Sequence, residues 1–177
     1  MQDRQKLARF QQSILPHMDA AYNLARWLTR DTHDAEDVVQ EAFLRAFRFF
    51  DGFRGEDGRH WVLKIVRNTF YTWKEQNRRG AETYSMEDLP AGIENELAES
   101  DEMVHRSLNV ELLSRVLGEL PVEFREVLVL RELEGFSYKE IAGIAEVPIG
   151  TVMSRLSRAR KLLENRLTAA PAAGDAA

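Results

Sequence analysis

Cysteine is absent from the 177-residue chain. Its absence excludes disulfide bonds, thiolate metal sites and thiol redox switches. Long apolar runs are absent too, since no stretch approaches the roughly 18 to 20 apolar residues that cross a bilayer. The first residues, Met1-Gln-Asp-Arg-Gln-Lys, lead into no apolar core of the signal-peptide type. These absences predict a cytoplasmic protein without membrane insertion.

A catalytic or metal-binding constellation is also missing from the sequence. No nucleophile–base pair and no phosphate-binding glycine loop is apparent. The acidic residues that follow His33 have a spacing that matches no zinc or calcium pattern. The four histidines are scattered along the chain, at His17, His33, His60 and His105. We therefore expect neither an enzyme nor a bound cofactor.

Strand-like alternation is rare, and no segment repeats at a solenoid period. Hydrophobic residues make up 44% of the chain, which is enough for real cores. Residues 81–110 contain a Pro-Ala-Gly turn and an acidic run with few large apolar side chains. We predict an all-α protein of two small domains, 1–80 and 111–168. A flexible acidic linker would occupy 81–110, and a disordered tail 169–177.

Charge is distributed unevenly about a formal net value of −5. Residues 81–110 carry one basic and eight acidic side chains, whereas 151–167 carry five basic and one acidic. Counterion release on a nucleic acid depends on the local patch and not on the global charge. An acidic protein with a basic segment of this kind is therefore compatible with DNA binding.

The segment from Ser137 to Arg160 has the pattern of a helix-turn-helix. Ser137 can cap the first helix, with Glu140 at the reciprocal position of a capping box. The buried stripe of that helix is expected at Ile141, Ala142 and Ala145.

Pro148 and Gly150 mark the turn, and Thr151 is predicted to cap the second helix. A rotation of about 100° per residue places Val152, Leu156, Ala159 and Leu163 on one side of this second helix. Small hydroxyls between cations lie on the other side, as Ser154, Ser157, Arg158 and Lys161, flanked by Met153, Arg155 and Arg160. This face suits a DNA major groove, and a solvated cationic helix is the alternative.

Residues 31–50 predict a helix with an acidic start and a polar strip. Its core stripe is expected at Val39, Ala42, Phe43, Ala46, Phe47 and Phe50. Negative charge at a helix N-terminus is favourable in itself, which is one explanation of the acidic cluster. The other is partner docking through charge-assisted hydrogen bonds. The residues concerned are Asp34, Glu36, Asp37, Gln40, Glu41 and Arg45.

The next predicted helix has a mixed aromatic, cationic and amide face. That face contains Trp61, Lys64, Arg67, Asn68, Tyr71, Glu75 and Arg78. Its core side is expected at Val62, Ile65, Val66, Thr69, Phe70 and Trp73. Rings and cations together suit single-stranded DNA, and an ordinary exposed helix is the alternative. The preceding loop at 53–59 contains two glycines and could adapt around an extruded base.

Together these blocks resemble bacterial sigma factors of the extracytoplasmic-function group. The resemblance covers about residues 10–80 and 110–167. Its most specific parts are Asp34-Ala-Glu-Asp-Val-Val-Gln-Glu-Ala-Phe, Trp61-Val-Leu-Lys-Ile-Val-Arg-Asn-Thr, the segment 120–142, and Gly150-Thr-Val-Met-Ser-Arg-Leu-Ser-Arg-Ala-Arg. The chain departs from the family pattern at Met153, where many members have a basic residue, and at Gly55-Glu-Asp-Gly58.

The resemblance implies a role for each surface in promoter recognition at a specialised regulon. Core RNA polymerase would be bound through the clamp helices of its largest subunit by Asp34, Glu36, Asp37, Gln40, Glu41 and Arg45. Unpaired bases of the minus-ten element would be bound by Arg54, Arg59, His60, Trp61, Lys64, Arg67, Asn68, Tyr71 and Arg78. The minus-thirty-five element would be read by Thr151, Ser154, Arg155, Ser157, Arg158 and Lys161.

The resemblance also implies further partners: the polymerase flap for the second domain, and an inhibitory anti-sigma factor. An alternative to this family assignment is a dimeric regulator that binds duplex DNA through 137–165 without polymerase. It would leave the acidic helix and the Lys64–Arg78 face without a function.

Overall fold

The computed structural model describes residues 2–55, 57–81 and 101–169, and the side chains of 2–55, 57–78 and 109–169. Every regular element in these segments is helical, as predicted for an all-α protein. The predicted linker residues 82–100 and tail residues 170–177 lie outside the described part of the chain.

Four α-helices form the first domain: α1 (Gln2–Ser13), α2 (Met18–Thr29), α3 (Thr32–Phe49) and α4 (Gly58–Ala81). Short 3-10 turns at Leu15–His17 and Phe50–Gly52 connect them. The second domain contains α5 (Asp101–Glu119), α6 (Val122–Leu128), a π-helical segment (Val129–Leu133), α7 (Tyr138–Ala145) and α8 (Ile149–Ala169).

Helix α3 begins where its acidic sequence predicts. Asp31 has extended backbone, and its side chain accepts a hydrogen bond of 3.0 Å from the backbone N–H of Asp34. Of the predicted stripe, Ala42, Ala46 and Phe50 are buried. The other three members, Val39, Phe43 and Phe47, are only partly buried. Ala35 and Val38 supply the rest of the buried side, so this face is rotated slightly from the predicted one.

Helix α4 buries the predicted residues Val62, Val66, Thr69 and Phe70, together with Leu63. Thr69 satisfies its hydroxyl by donating to the carbonyl of Ile65 at 2.7 Å. This burial fixes the rotation of α4, so its polar face points to the second domain.

The capping box of α7 is present as predicted. The backbone N–H of Glu140 donates to the Ser137 hydroxyl at 3.1 Å, and the Glu140 carboxylate accepts from the Ser137 N–H at 2.7 Å. Ile141 and Ala145 are buried, and Ile144 is buried with them.

Two boundaries in the second domain differ from prediction. Thr151 is not the cap of α8, because the helix begins at Ile149 and the Pro148 carbonyl accepts from the Thr151 N–H at 2.9 Å. Proline lacks an N–H and has a fixed φ, and both properties suit a helix start.

Helix α5 begins at Asp101, so the prediction of linker for 101–110 is wrong. The sequence Asp101-Glu102 places negative charge where a helix N-terminus favours it.

The two domains pack against each other through one continuous apolar core. Leu24, Leu28 and Phe70 of the first domain belong to the same buried cluster as Leu117 and Ile144 of the second. A separate aromatic cluster, which includes Phe10, Phe50 and Phe53, lies at the end of the first domain where α1 meets α3. The sequence predicts two domains but not this packing of one on the other.

Candidate nucleic-acid interface

Helix α8 presents its predicted polar face to solvent. Val152, Leu156 and Ala159 are buried. Opposite them, Ser154, Ser157, Arg158 and Lys161 are exposed, and Thr151 and Arg155 are partly buried. The small hydroxyls leave room for close approach, while the cations extend around them. The geometry therefore fits a helix that enters a major groove.

Arg160 is held beside this face by the π-helical segment. Its guanidinium donates to Glu132 at 2.7 Å, and this hydrogen bond raises the pKa of Arg160 above its ordinary value. Arg160 is therefore engaged within the second domain, unlike Arg158 on the exposed face.

The polar face of α4 lies against the second domain. Arg67 donates through Nε to Oε1 of Glu126 at 2.6 Å, and the Tyr71 hydroxyl donates to Oε2 at 3.0 Å. The Arg67 guanidinium also lies over the Tyr71 ring, 4.3 Å from its centroid, and reaches Asn68 Oδ1 at 3.3 Å. The predicted residues Arg67, Asn68 and Tyr71 thus form one interdomain network with Glu126, which was not predicted.

The start of α4 makes three further interdomain contacts. Arg59 pairs with Glu134 at 2.8 Å and also donates to its backbone carbonyl. His60 Nε2 lies 3.1 Å from the carbonyl oxygen of Glu140. Lys64 Nζ lies 3.4 Å from Glu146. These residues of the predicted single-stranded DNA face therefore meet oxygen atoms of the second domain.

Glu126 is the centre of the network and is fully buried. Burial raises the pKa of its carboxyl, against the opposing effects of Arg67, Tyr71 and the charge of Arg155. Burial and the Glu126 charge together raise the pKa of Tyr71 above its usual range, so the phenol stays a hydrogen-bond donor. The sequence pattern gave no signal for Glu126, which occupies an unremarkable position in a helix.

A cleft of about 370 Å³ opens beside the start of α4. Trp61 packs its ring on Phe53 at 5.1 Å between centroids, so it lies in the wall of this cleft and not on the outward face. The cleft is lined by Gly52, Phe53, Arg54, Asp57, His60, Trp61 and Glu140. The loop at 53–59 is predicted from the sequence, whereas the places of Phe53 and Asp57 in the lining of the cleft are not. Asp57 could have been found from its position before the helix, where it accepts from the Arg59 N–H at 3.0 Å.

Arg78 lies apart from these contacts near the end of α4. It is exposed, and its guanidinium lies 3.3 Å from Glu75 on the same helix. The structure therefore does not bring Arg78 to the cleft or to the interdomain network.

The polar strip of α3 lies on a different side of the first domain. Glu36, Asp37, Gln40 and Glu41 are exposed, and Arg45 pairs with Glu41 at 2.8 Å.

Asp34 is partly buried at the start of this strip, and burial raises the pKa of its carboxyl, with smaller contributions from Asp31 and Asp37. An anionic strip therefore follows the first three turns of α3.

An apolar groove of about 430 Å³, which the sequence did not predict, borders this strip. Leu7, Leu15, Met18 and Leu44 are exposed along it, and the partly buried Phe43 forms its floor. The signal in the sequence was Leu44, an apolar residue outside the core stripe of α3.

Two other findings concern the described residues alone. They contain no group of three or more His, Asp or Glu side chains arranged to hold a metal ion. None of the helices described here has the length and apolarity needed to cross a membrane.

Comparison with known families matches both halves of the chain. Residues 14–80 match sigma-70 region 2, and residues 111–163 match sigma-70 region 4.

Curated relatives match over most of the sequence. The extracytoplasmic-function sigma factor SigE of Mycolicibacterium smegmatis is 34% identical over 168 residues, which cover 93% of this chain and 64% of that protein. The sigma-E factor of Escherichia coli is 33% identical over 141 residues, 76% of this chain and 74% of that protein. That of Haemophilus influenzae is 35% identical over 152 residues, 81% of this chain and 79% of that protein.

Solved structures share the fold. The sigma factor RpoE of Bartonella quintana, in complex with the anti-sigma factor NepR, superposes with a TM-score of 0.75 and 28% identity, covering 91% of this chain and 98% of that one. CnrH in complex with the cytosolic domain of CnrY has a TM-score of 0.62 and 25% identity, covering 90% and 88%. The chain therefore belongs to the sigma-70 family, as an alternative sigma factor of the extracytoplasmic-function group that directs promoter-specific transcription initiation.

Proposed function

We propose that three separate surfaces of this sigma factor bind polymerase, the minus-ten element and the minus-thirty-five element at a specialised set of promoters. The observation that carries this division is the two-sided character of α8. It buries an apolar side and exposes Ser154, Ser157, Arg158 and Lys161. Together with Thr151 and Arg155, these side chains would read the minus-thirty-five duplex in its major groove.

The minus-ten strand would be bound by the α4 face and the neighbouring cleft. The cleft combines aromatic walls with polar groups, which suits a base that has left the stack. Unpairing costs a few kcal/mol per step, and stacking offsets roughly 1 to 3 kcal/mol per base. Melting is then driven by binding, and the chemistry of RNA synthesis belongs to the polymerase. The residues proposed for this surface are Arg54, Arg59, His60, Trp61, Lys64, Arg67, Asn68, Tyr71 and Arg78.

Core polymerase would bind the polar strip of α3 and the adjoining apolar groove. Exposed carboxylates beside an apolar surface combine charge complementarity with area to bury. The clamp helices of the largest subunit are the partner we assign to Asp34, Glu36, Asp37, Gln40, Glu41 and Arg45. The second domain would contact the polymerase flap, and the site of action would be the cytoplasm.

An anti-sigma factor is a further proposed partner. Both neighbouring structures reported above are complexes with another protein, the anti-sigma factor NepR in one and the cytosolic domain of CnrY in the other. We assign such a regulator to this chain because its fold covers nearly the whole of both neighbours.

Run-off transcription tests the proposal. Purified core polymerase is incubated with fragmented genomic DNA from the source organism, with and without the protein, and the transcripts are sequenced. Discrete start sites that need the protein are expected, and they reveal both promoter elements. Absence of added transcripts, with tight duplex binding by the protein alone, would instead indicate a stand-alone regulator.

Two variants test the polymerase surface and the minus-thirty-five surface by measured binding to core polymerase and to promoter DNA. Asp37→Arg reverses an exposed charge on α3, so it is expected to abolish binding to polymerase while the circular dichroism spectrum stays unchanged. Arg158→Ala is expected to weaken recognition of the minus-thirty-five element by about 1 to 3 kcal/mol. Unchanged promoter affinity in the second variant would contradict the role of α8.

A further inference from the structure

The start of α8 presents two large apolar side chains to solvent. Ile149 is 49% exposed and Met153 is 53% exposed, and they lie about one turn apart on the helix. Among the described residues, both lie outside the buried clusters that form the cores of the two domains. Exposed apolar residues are ordinary when they occur singly, whereas a contiguous pair is typical of a contact surface. The pair therefore indicates an apolar partner.

The neighbours of Met153 on the helix surface are short. Gly150 has no side chain, and nothing lies within 4 Å of the point where a Cβ atom would be. The Ser154 hydroxyl donates to the carbonyl of Thr151 at 3.1 Å, so it is directed back onto its own helix. Ser157, four residues after Met153, is exposed. A flat partner can therefore come close to this part of α8, and the Met153 side chain reaches farther than those around it.

The exposed cation of α8 lies on a different side from this apolar pair. A rotation of about 100° per residue places Arg158 about 140° around the helix from Met153. Arg160 is on the same flank as Met153, but its guanidinium donates to Glu132 at 2.7 Å and so has a partner within the domain. The flank that begins with Ile149 is therefore suited to an apolar contact, beside a polar and cationic one.

The major groove of duplex DNA offers one apolar group at its base edges, the 5-methyl group of thymine. Residues near the N-terminus of a recognition helix are those that meet base edges, and both apolar residues belong to the first two turns of α8. Four residues advance the helix by about 6 Å, and successive base pairs are about 3.4 Å apart. The pair can therefore contact thymines within about three consecutive base pairs.

We propose that Met153, together with Ile149, reads thymine in the minus-thirty-five element through its 5-methyl group. The inference rests on the proposed assignment of α8 to that element, and it adds an apolar contact to the polar residues assigned there. Cytosine has a hydrogen atom in place of the methyl group and gains nothing from this contact. Burial of one methyl group corresponds to about a fourfold gain in affinity.

Removal of single methyl groups from the DNA tests the contact. A promoter duplex identified by run-off transcription is made with each thymine of the minus-thirty-five element replaced in turn by deoxyuridine, which lacks only the 5-methyl group. Affinity of the duplex for the protein bound to core polymerase is measured by fluorescence anisotropy. One or two replacements, within about three consecutive base pairs, are expected to lower affinity about fourfold each. The other replacements should change it less than twofold.

Variants of Met153 assign the effect to its side chain. Met153→Gln has a side chain of similar length that is polar, so it is expected to bind the thymine and deoxyuridine duplexes equally at the sensitive position. Met153→Leu stays apolar and should keep a preference for thymine. Because the same two duplexes are compared throughout, any effect of the methyl group on the DNA itself is common to all variants.

A second variant and a control complete the set. Ile149→Ala should reduce the preference for thymine at the same position or within two base pairs of it. Leu167→Ala is the matched control, since Leu167 is an apolar residue of α8 that is 36% exposed and lies about 21 Å along the axis from Met153. It should keep the full preference. Circular dichroism checks that each full-length variant is folded.

Four outcomes would overturn the proposal. The first is a minus-thirty-five element without thymine, and the second is equal affinity of the wild type for every thymine and deoxyuridine duplex. The third is a thymine preference that survives in Met153→Gln. The fourth is a loss of affinity in Met153→Gln without any change in that preference, because the side chain would then only support the helix. A preference unchanged in Ile149→Ala would remove Ile149 from the contact.

Arg158→Ala separates the inference from the proposed function, measured on the unmodified promoter duplex. If Arg158→Ala lowers affinity while no methyl group affects binding, α8 reads the element and the apolar contact fails. If Arg158→Ala leaves affinity unchanged, the assignment of α8 itself fails.

Discussion

Arg125 shows how one buried side chain connects the two domains. It is 5% exposed, and its guanidinium donates to the carbonyls of Gly118 and Leu120 in its own domain and of Leu28 in α2, each at 3.1 Å. Burial, and then the charge of Arg30, lower the pKa of Arg125 to about 10. Because a pKa of about 10 is still well above 7, the side chain stays charged at neutral pH, and three carbonyl groups accept its hydrogen bonds.

Replacement of Arg125 by methionine is expected to destabilise the fold by about 3 kcal/mol. The change fills similar volume but leaves three carbonyl groups without their donor, and each unsatisfied buried group costs about 1 to 3 kcal/mol before relaxation. Urea unfolding with an unchanged m-value measures the loss.

Arg131→Met is the matched control for that measurement. Arg131 is partly buried and donates to one carbonyl, that of Phe136 at 2.8 Å. A loss of about 1 kcal/mol is expected there. Equal losses in the two variants would show that the carbonyl contacts of Arg125 are not the source of its effect.

Tyr71 offers a spectroscopic test of the interdomain network. Its pKa is raised above the usual range by burial and by the Glu126 charge. An alkaline titration of the phenol absorbance should therefore contain a late step that is absent from Tyr71→Phe. In Glu126→Gln the step should move to lower pH, because the negative neighbour is gone. A late step that survives in Tyr71→Phe would belong to another tyrosine and would contradict the assignment.

At the scale of elements, the two predicted caps of the helix-turn-helix have different outcomes. Ser137 completes a capping box, whereas Thr151 lies inside α8. Ser137→Ala is therefore expected to cost about 1 kcal/mol of stability. Thr151→Ala should stay within about 0.5 kcal/mol, as expected for a substitution that removes no cap. Thermal and urea unfolding of the two variants would compare them directly, and a larger loss for Thr151→Ala would restore it as a cap.

Periodicity predicts the helices well because burial repeats along each element. Val152, Leu156 and Ala159 are buried as the 3.6-residue period requires, and so are Val66 and Phe70 of α4. Boundaries are harder to predict, since competing signals lie within a few residues. Pro148 and Thr151 both suit a helix start, and only the backbone hydrogen bonds decide between them.

At the scale of the whole molecule, the sequence predicts the composition of the α4 face but not what covers it. A mixed polar face has the same pattern whether it meets solvent, DNA or another domain. Its partner Glu126 is 59 residues from Arg67, so no local period relates the two. The candidate polymerase surface is more predictable, because its acidic strip and Leu44 lie on one helix.

The packing of the two domains on each other, here called the closed form, should depend on pH through Glu126. Its pKa is raised in the closed form by burial, although Arg67 and Tyr71 from α4 and Arg155 from α8 oppose the shift. In an open form with Glu126 in water, its carboxyl would have the ordinary value of about 4.5. The closed form then binds the proton more tightly, so acidification through the raised pKa favours closure. As pH rises from 4.5 through that pKa, the closed form loses stability, and above it no further change comes from Glu126.

Dyes attached at Thr72→Cys in the first domain and Asn165→Cys in the second report separation of the domains through energy transfer, in a chain that has no other cysteine. Their energy transfer measures the equilibrium between the closed form and an open form with separated domains, without DNA. Wild type should lose transfer as pH rises through the window above 4.5, since the closed form alone holds Glu126 in a buried site. Glu126→Gln cannot titrate there, so its transfer should lack that part of the slope. The two proteins differ only at residue 126, so the difference between the two curves isolates Glu126. Identical slopes would mean that Glu126 has the same pKa in both forms, and that its burial does not couple protonation to domain closure.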